Sequence, residues 1–220
     1  MKREPVWLFD LDNTLHNASH AIFPSINRRM TAYIQRHLAL DEPAAQALRE
    51  RYWRRYGATL TGLVLHHGTD PDHFLSETHQ LGDIAPLLRF DAPIRRVLRR
   101  LPGRKVIFSN GPRQYALQVV AAMGLSDSID ALFAIEDMRY QPKPGMPAFR
   151  RLLAALRVRP ERCILVEDSA ANLLPAKRLG MRTVWISSSV RCPPHVDLRL
   201  GRATALGRAS LRALGPLAAS

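Results

Sequence analysis

The chain has 220 residues, enough for one full core and a small inserted unit. Its 32 Lys+Arg against 19 Asp+Glu give a net charge of +13, a balance that draws anions. Only four of the cations are lysines, the arginines are scattered, and no aromatic-rich basic stripe accompanies them, so a nucleic-acid binder is not expected.

The opening Met1 to Pro5 is charged, and only four apolar residues follow before Asp10. No secretory leader is expected from that pattern. No apolar run is long enough to span a membrane, so a soluble, cytoplasmic protein is expected. Val6-Trp7-Leu8-Phe9 reads as a strand buried on both faces, the usual strand of a parallel sheet. Asp10 and Asp12 follow at its carboxyl end, where open α/β sheets carry their sites. Two apart in extended chain, they leave on one face, where a cation or a shared proton would relieve their repulsion.

Leu15 to Phe23, with His16 and His20, reads as a connecting loop. Ser25 looks like the N-cap of a helix with Ile26, Met30, Tyr33 or Ile34, and His37 or Leu38 on one face. Asp41-Glu42-Pro43 starts a second helix that runs through Tyr52 and Trp53 to Gly57. A third spans Pro71 to Leu81, opened by Asp70 or Asp72. Residues 17–88 therefore read as all-helical. In that block Tyr52, Trp53 and Tyr56 read as core, with a base-stacking platform as the alternative, and Arg54 and Arg55 as a solvated face.

Beyond Phe90 helices and strands alternate. The helices are Ala92–Arg100, Arg113–Met123 closed by Gly124, Pro147–Leu156, and Ala170–Leu179 closed by Gly180. The strands are Lys105–Phe108, Ala131–Ile135, Cys163–Val166 and Arg182–Ser187. Leu198 to Leu217 holds one last helix. Cys163 reads as a small core residue, and neither it nor Cys192 belongs to a CxxC or Cys/His cluster, which speaks against a zinc site.

Alternation of this kind predicts a doubly wound parallel α/β sheet with right-handed crossovers. The helical block interrupts it after the first strand, so the expected organisation is a discontinuous core, 1–16 and 89–220, with a helical cap over 17–88.

Four polar clusters end four strands or turns: Asp10/Asp12/Thr14, Ser109/Asn110, Lys143, and Glu167/Asp168. One sheet edge would gather them. Grouped acids can hold Mg2+, a hydroxyl and amides can hold phosphoryl oxygens, and a lysine can balance the charge. A carboxylate can attack phosphorus itself. Structural roles compete at some positions. Thr14 could cap the turn, Glu167 could favour a helix N-terminus, Asp168 could be its N-cap, and Asn172 could be structural.

Asp10-Leu11-Asp12-Asn13-Thr14 resembles the first motif of the haloacid dehalogenase-like hydrolases. Ser109-Asn110 is similar to the second, Lys143-Pro144 to the third, and Glu167-Asp168-Ser169 with Asn172 and Gly180 to the fourth. The helical block is similar to the family's cap. Tyr56-Gly57-Ala58-Thr59-Leu60-Thr61-Gly62-Leu63, with His66-His67-Gly68, further resembles the pyrimidine 5'-nucleotidase branch.

The resemblance implies an aspartyl-phosphate phosphatase. Asp10 would be the nucleophile and Asp12 the acid/base. Ser109, Asn110 and Thr14 would bind the phosphoryl group, and Lys143 would stabilise its charge. Asp10, Asp12 (through its carbonyl), Asp168 and Glu167 would hold Mg2+. The dehalogenases of the family lack the acid at position 12, so phosphate chemistry is the expectation. The implied partner is a small phosphorylated metabolite, first a pyrimidine nucleoside 5'-monophosphate. Phosphoglycolate or a sugar phosphate, a phosphomutase reaction, and a regulatory module without turnover are the alternatives.

Overall fold

The computed structural model describes residues 4–215, without the side chains of residues 208 and 209. The start of the charged opening (residues 1–3) and the end of the expected last helix (216 and 217) lie outside the described residues.

Six strands form one parallel sheet among the described residues: β1 (Val6–Phe9), β2 (Arg104–Phe108), β3 (Ala131–Phe133), β4 (Cys163–Glu167), β5 (Arg182–Ile186) and β6 (Leu198–Leu200). Their order is β3-β2-β1-β4-β5-β6, with β1 at the centre. Val6 faces Arg104 on one side and Cys163 on the other, and the register continues to Phe9 between Ile107 and Val166. All four residues of β1 are buried.

Alternation along the strands divides the core. Trp7, Phe9, Ile107, Ile164 and Val166 pack on one face with Leu98 and Val119. Val6, Leu8, Val106, Cys163 and Leu165 pack on the other with Phe149, Leu152 and Leu173. The helices that cover these faces are α5 (Ile94–Arg100) and α6 (Arg113–Ala122) on the first, α7 (Met146–Leu156) and α8 (Ala170–Arg178) on the second. The fold is a doubly wound α/β sandwich. Each fully buried Leu or Ile contributes about 1.5–3 kcal/mol of burial free energy. Such a sheet places its crevice where the strand order reverses, at the carboxyl ends of β1 and β4.

Between β1 and β2 lie α1 (Ile22–Leu38), α2 (Glu42–Tyr56), α3 (Thr59–His67) and α4 (Pro71–His79). Asp41 and Asp70 cap α2 and α4, accepting the N–H of Ala44 at 2.9 Å and of His73 at 2.7 Å. Tyr33, Ile34, Leu48, Tyr52, Leu63 and Phe74 fill the interior of the block. Gly62 lets α3 close on α2: a Cβ there would lie 2.2 Å from Tyr52 Cγ. Tyr52 and Tyr56 bond across the same seam to His67 Nε2 (2.8 Å) and His66 Nε2 (2.6 Å).

Several local expectations are corrected. α1 begins at Ile22, not after Ser25, because Pro24 fits a first turn whose N–H groups need no helical partner. Ser25 is already inside, its N–H 3.2 Å from Ala21 O. α3 is a separate helix, set off by left-handed Gly57 and Gly68. Trp53 is 61% exposed and is not core, whereas Tyr52 is buried. Leu198–Leu200 is an edge strand, and the last helix is only α9 (Arg208–Ala213). Among the described residues no helix is long and apolar enough to cross a membrane.

Candidate active site

The ladder carries Asp10 and Ser109 one residue past their strands: Asp10 N–H bonds to Val166 O at 3.0 Å, and Ser109 N–H to Phe133 O at 3.1 Å. Asn13 adopts a left-handed conformation (φ 61°), which asparagine tolerates, and the chain turns back on itself. That turn returns Thr14 to the strand end. Its hydroxyl lies 2.9 Å from Asp10 Oδ2 and 3.3 Å from Asp168 Oδ1, and accepts the Asp168 N–H at 3.0 Å.

Lys143 arrives on the loop between β3 and α7, fully enclosed. Its ammonium donates to Asp10 Oδ1 at 2.8 Å, Glu167 Oε2 at 2.8 Å and Phe108 O at 2.7 Å. Asn110 fixes this loop: its Nδ2 donates to Lys143 O at 3.0 Å, and its Oδ1 accepts the Lys143 N–H at 2.8 Å. Ser109 is buried, its Oγ accepting the Gly111 N–H at 3.0 Å. Glu167 Oε2 also accepts from Asn172 Nδ2, and Oε1 from the Ser169 N–H, both at 3.1 Å. Ser169, not Asp168, is the N-cap of α8.

Asp10, Glu167 and Asp168 present carboxylate oxygens within 4.8 Å of one another. One ammonium cannot neutralise three carboxylates. Burial, then Glu167, pushes the Asp10 carboxyl up to about 7, against the pull of Lys143. Burial likewise raises Glu167 and Asp168. Burial alone would lower the Lys143 ammonium, but Asp10 and Glu167 outweigh it and hold the ammonium above its ordinary range. A tight group of hard oxygen donors with excess negative charge fits a divalent cation of the Mg2+ type.

Asp12 stands outside this group of three carboxylates, yet near enough to add to the rise at Asp10, and has partners of its own. Its Oδ1 lies 3.0 Å from His16 Nε2 and accepts from the Tyr115 hydroxyl. Burial, reinforced by Asp12, raises the Tyr115 phenol far above its ordinary value, so it stays a donor. His16 is buried, and its Nδ1 has no partner among the described residues. His79 of α4 packs edge-on against Tyr115, 5.8 Å between centroids. Burial pushes its imidazole down to about 4, although Asp12 pulls the other way. Beside these rings a cleft of about 120 Å³ is lined by Asp72, Ser76 and His79 of α4, by Gln80 just past its end, and by Tyr115 and Gln118 of α6. His20, by contrast, is exposed on the loop.

Sequence reasoning passed over Tyr115 and His79. Tyr115 falls at a core spacing in α6, and its partner Asp12 lies far away in the chain.

The family model of the haloacid dehalogenase-like hydrolases matches residues 6–180, from β1 through the fourth acidic cluster. The chain belongs to that family. It is 27% identical over 192 residues to validoxylamine A 7'-phosphate phosphatase of Streptomyces hygroscopicus, covering 84% of this chain and 86% of that protein. It is 25% identical over 193 residues to phosphate metabolism protein 8 of Saccharomyces cerevisiae, covering 80% of this chain and 59% of the yeast protein's length. The fold also matches the crystal structure of the HAD phosphatase from Thermococcus onnurineus, with a TM-score of 0.65 and 21% identity over 97% of this chain and 99% of that one.

Proposed function

We propose that the chain is a Mg2+-dependent phosphatase that hydrolyses a small phosphomonoester through an aspartyl-phosphate on Asp10. The observation that carries this reading is the buried Asp10–Lys143–Glu167 arrangement, with Asp168 and Thr14 against it. Asp10, Glu167, Asp168 and the Asp12 carbonyl would hold the metal, which when bound favours the charged carboxylates and withdraws charge from the phosphoryl oxygens.

In the first step an Asp10 carboxylate oxygen bonds to phosphorus and the ester P–O bond breaks. Asp12 gives its proton to the departing alkoxide. In the second step Asp12 takes a proton from water, whose oxygen bonds to phosphorus as the Asp10–phosphorus bond breaks, releasing phosphate. Tyr115 and His16 both engage Asp12 Oδ1, which leaves Oδ2 for the proton. Lys143 balances charge at Asp10, while Ser109, the Asn110 amide and Thr14 receive phosphoryl oxygens. The helical block of residues 17–88 acts as a cap and supplies the leaving-group side through α4.

The substrate class proposed from the stretch Tyr56 to Leu63 is a pyrimidine nucleoside 5'-monophosphate. A second reading, a non-nucleotide metabolite such as a sugar phosphate, is favoured by the polar Ser76, Gln80, Gln114 and Gln118 in the cleft lining and by the Streptomyces relative, a validoxylamine A 7'-phosphate phosphatase. Tyr56 and Gly62 are also occupied in joining α2 to α3. Phosphate release from UMP, CMP, AMP, phosphoglycolate and glucose 6-phosphate, with Mg2+ or with chelator, tests both. Metal-dependent release that prefers UMP and CMP supports the nucleotidase reading. Preference for a sugar phosphate supports the second. No release from any ester by folded protein contradicts the phosphatase.

A further inference from the structure

Away from the sheet edge, α1 and α4 bring together His37, His73 and Glu77. One potential metal-binding atom from each lies within 4.8 Å of the others. His73 and Glu77 are one turn apart on α4, with His73 Nε2 at 3.0 Å from Glu77 Oε1. His37 reaches across from the last turn of α1. Four-coordinate zinc, with bonds of about 2.0–2.2 Å, spaces its ligands roughly 3.4 Å apart, within reach of small side-chain rotations here.

The surroundings already orient these donors. His73 Nδ1 lies 3.0 Å from the hydroxyl of buried Tyr33, so an Nδ1–H donated there leaves the Nε2 lone pair aimed at Glu77. The Tyr33 ring stacks on His37, 4.0 Å between centroids, and is held edge-on by Phe74 at 5.0 Å. Arg36 pairs with Glu77 Oε2, which turns Oε1 towards His73. An imidazole oriented through its second nitrogen, as His73 is by Tyr33, is a usual support of a metal centre. Both histidines are exposed and Glu77 partly so, leaving an entry path and room for water as a fourth ligand.

We propose that His37, His73 and Glu77 form a second metal site, for a zinc-type divalent ion, that clamps α1 to α4. Imidazole nitrogen selects such ions over Mg2+, which suits the all-oxygen group at Asp10 instead. The site uses no cysteine, so cysteine spacing is silent about it. The ion would sit between His73 Nε2 and Glu77 Oε1, now 3.0 Å apart. It adds a bond between helices that already meet through Tyr33, Phe74 and the Arg36–Glu77 ion pair.

The test is calorimetric titration of the metal-stripped full chain with Zn2+ in excess Mg2+, with Co2+ as a spectroscopic substitute. The expected results are one Zn2+ per chain at micromolar metal, a higher melting temperature with zinc, and the strong visible bands of four-coordinate Co2+. The double variant His37→Ala/His73→Ala, shown to be folded by circular dichroism, loses uptake and the zinc-dependent rise in melting temperature. Tyr33→Phe keeps every ligand and binds zinc at least about tenfold more weakly. No stoichiometric uptake, equal uptake by the folded double variant, or only the weak bands of six-coordinate Co2+ would overturn the proposal. A purely structural contact would instead lower the melting temperature of the double variant equally with and without zinc, and that result also overturns it.

Discussion

Lys143 spends all three ammonium protons inside the protein, on two carboxylates and the Phe108 carbonyl. Its truncation would strand Asp10 and Glu167 as an uncompensated buried pair. Lys143→Met is therefore expected to cost about 3–5 kcal/mol in urea unfolding of the metal-free chain, with part of the loss restored by Mg2+. A loss under about 1 kcal/mol, the size of an exposed ion pair, would contradict that electrostatic account. Tyr115 is a positioning residue in this scheme: it touches Asp12, not the reacting phosphorus. Tyr115→Phe removes one hydrogen bond, worth about 1–1.5 kcal/mol, so kcat is expected to fall about tenfold with KM little changed. Lower stability with an unchanged kcat per folded molecule would assign Tyr115 to packing alone. At this scale the acids were legible because they end apolar strands, and Lys143 because it stands between Pro142 and Pro144 in an Arg-rich chain. Tyr115 was hidden because an aromatic in the first turns of an amphipathic helix looks the same whether or not its hydroxyl has a partner.

At the scale of elements, strong local signals decided what could be read. Buried central strands are continuous apolar runs, and α2 and α4 announce themselves by Asp and Pro at their starts. α3 was obscured by Gly57, Gly62 and Gly68, which break the period although each has its structural reason. β6 is three residues long, half-exposed and paired only with β5, so its pattern carries little hydrophobic signal. Its anchor is polar. Asp197 accepts from Thr183 N–H (2.9 Å) and Oγ1 (3.1 Å), and from Lys177. Burial alone would raise the Asp197 carboxyl, but these bonds outweigh it and hold it below its ordinary value. A lowered folded value means stability present above the unfolded carboxyl pKa, near 3.9, and lost as pH falls through the folded value. Asp197→Asn is accordingly expected to destabilise the chain by about 1–3 kcal/mol at neutral pH, with the difference shrinking as pH falls through the lowered folded value. A pH-independent difference would show that the carboxylate charge is not what secures this edge.

The whole molecule joins two charge patterns. The net charge of +13 draws anions, while the buried edge gathers acids that a cation would balance. The strand order β3-β2-β1-β4-β5-β6 reconciles them by opening the sheet where Asp10, Ser109, Lys143 and Glu167 converge. α4 spans the rest of the account. Its Asp72 accepts from the Tyr140 hydroxyl, its His73 and Glu77 face α1, and its His79 touches Tyr115 beside Asp12. Asp10 itself is proposed to receive the phosphoryl group. The decisive experiment mixes enzyme, Mg2+ and the best ester of the substrate panel, quenches in acid within one turnover, and locates phosphoryl by peptide mass spectrometry. A transient phosphoryl is expected on the peptide containing Asp10, and neither phosphoryl nor turnover in Asp10→Asn. Turnover without that adduct, with the phosphoryl on another residue, or in the Asp10→Asn variant would contradict it.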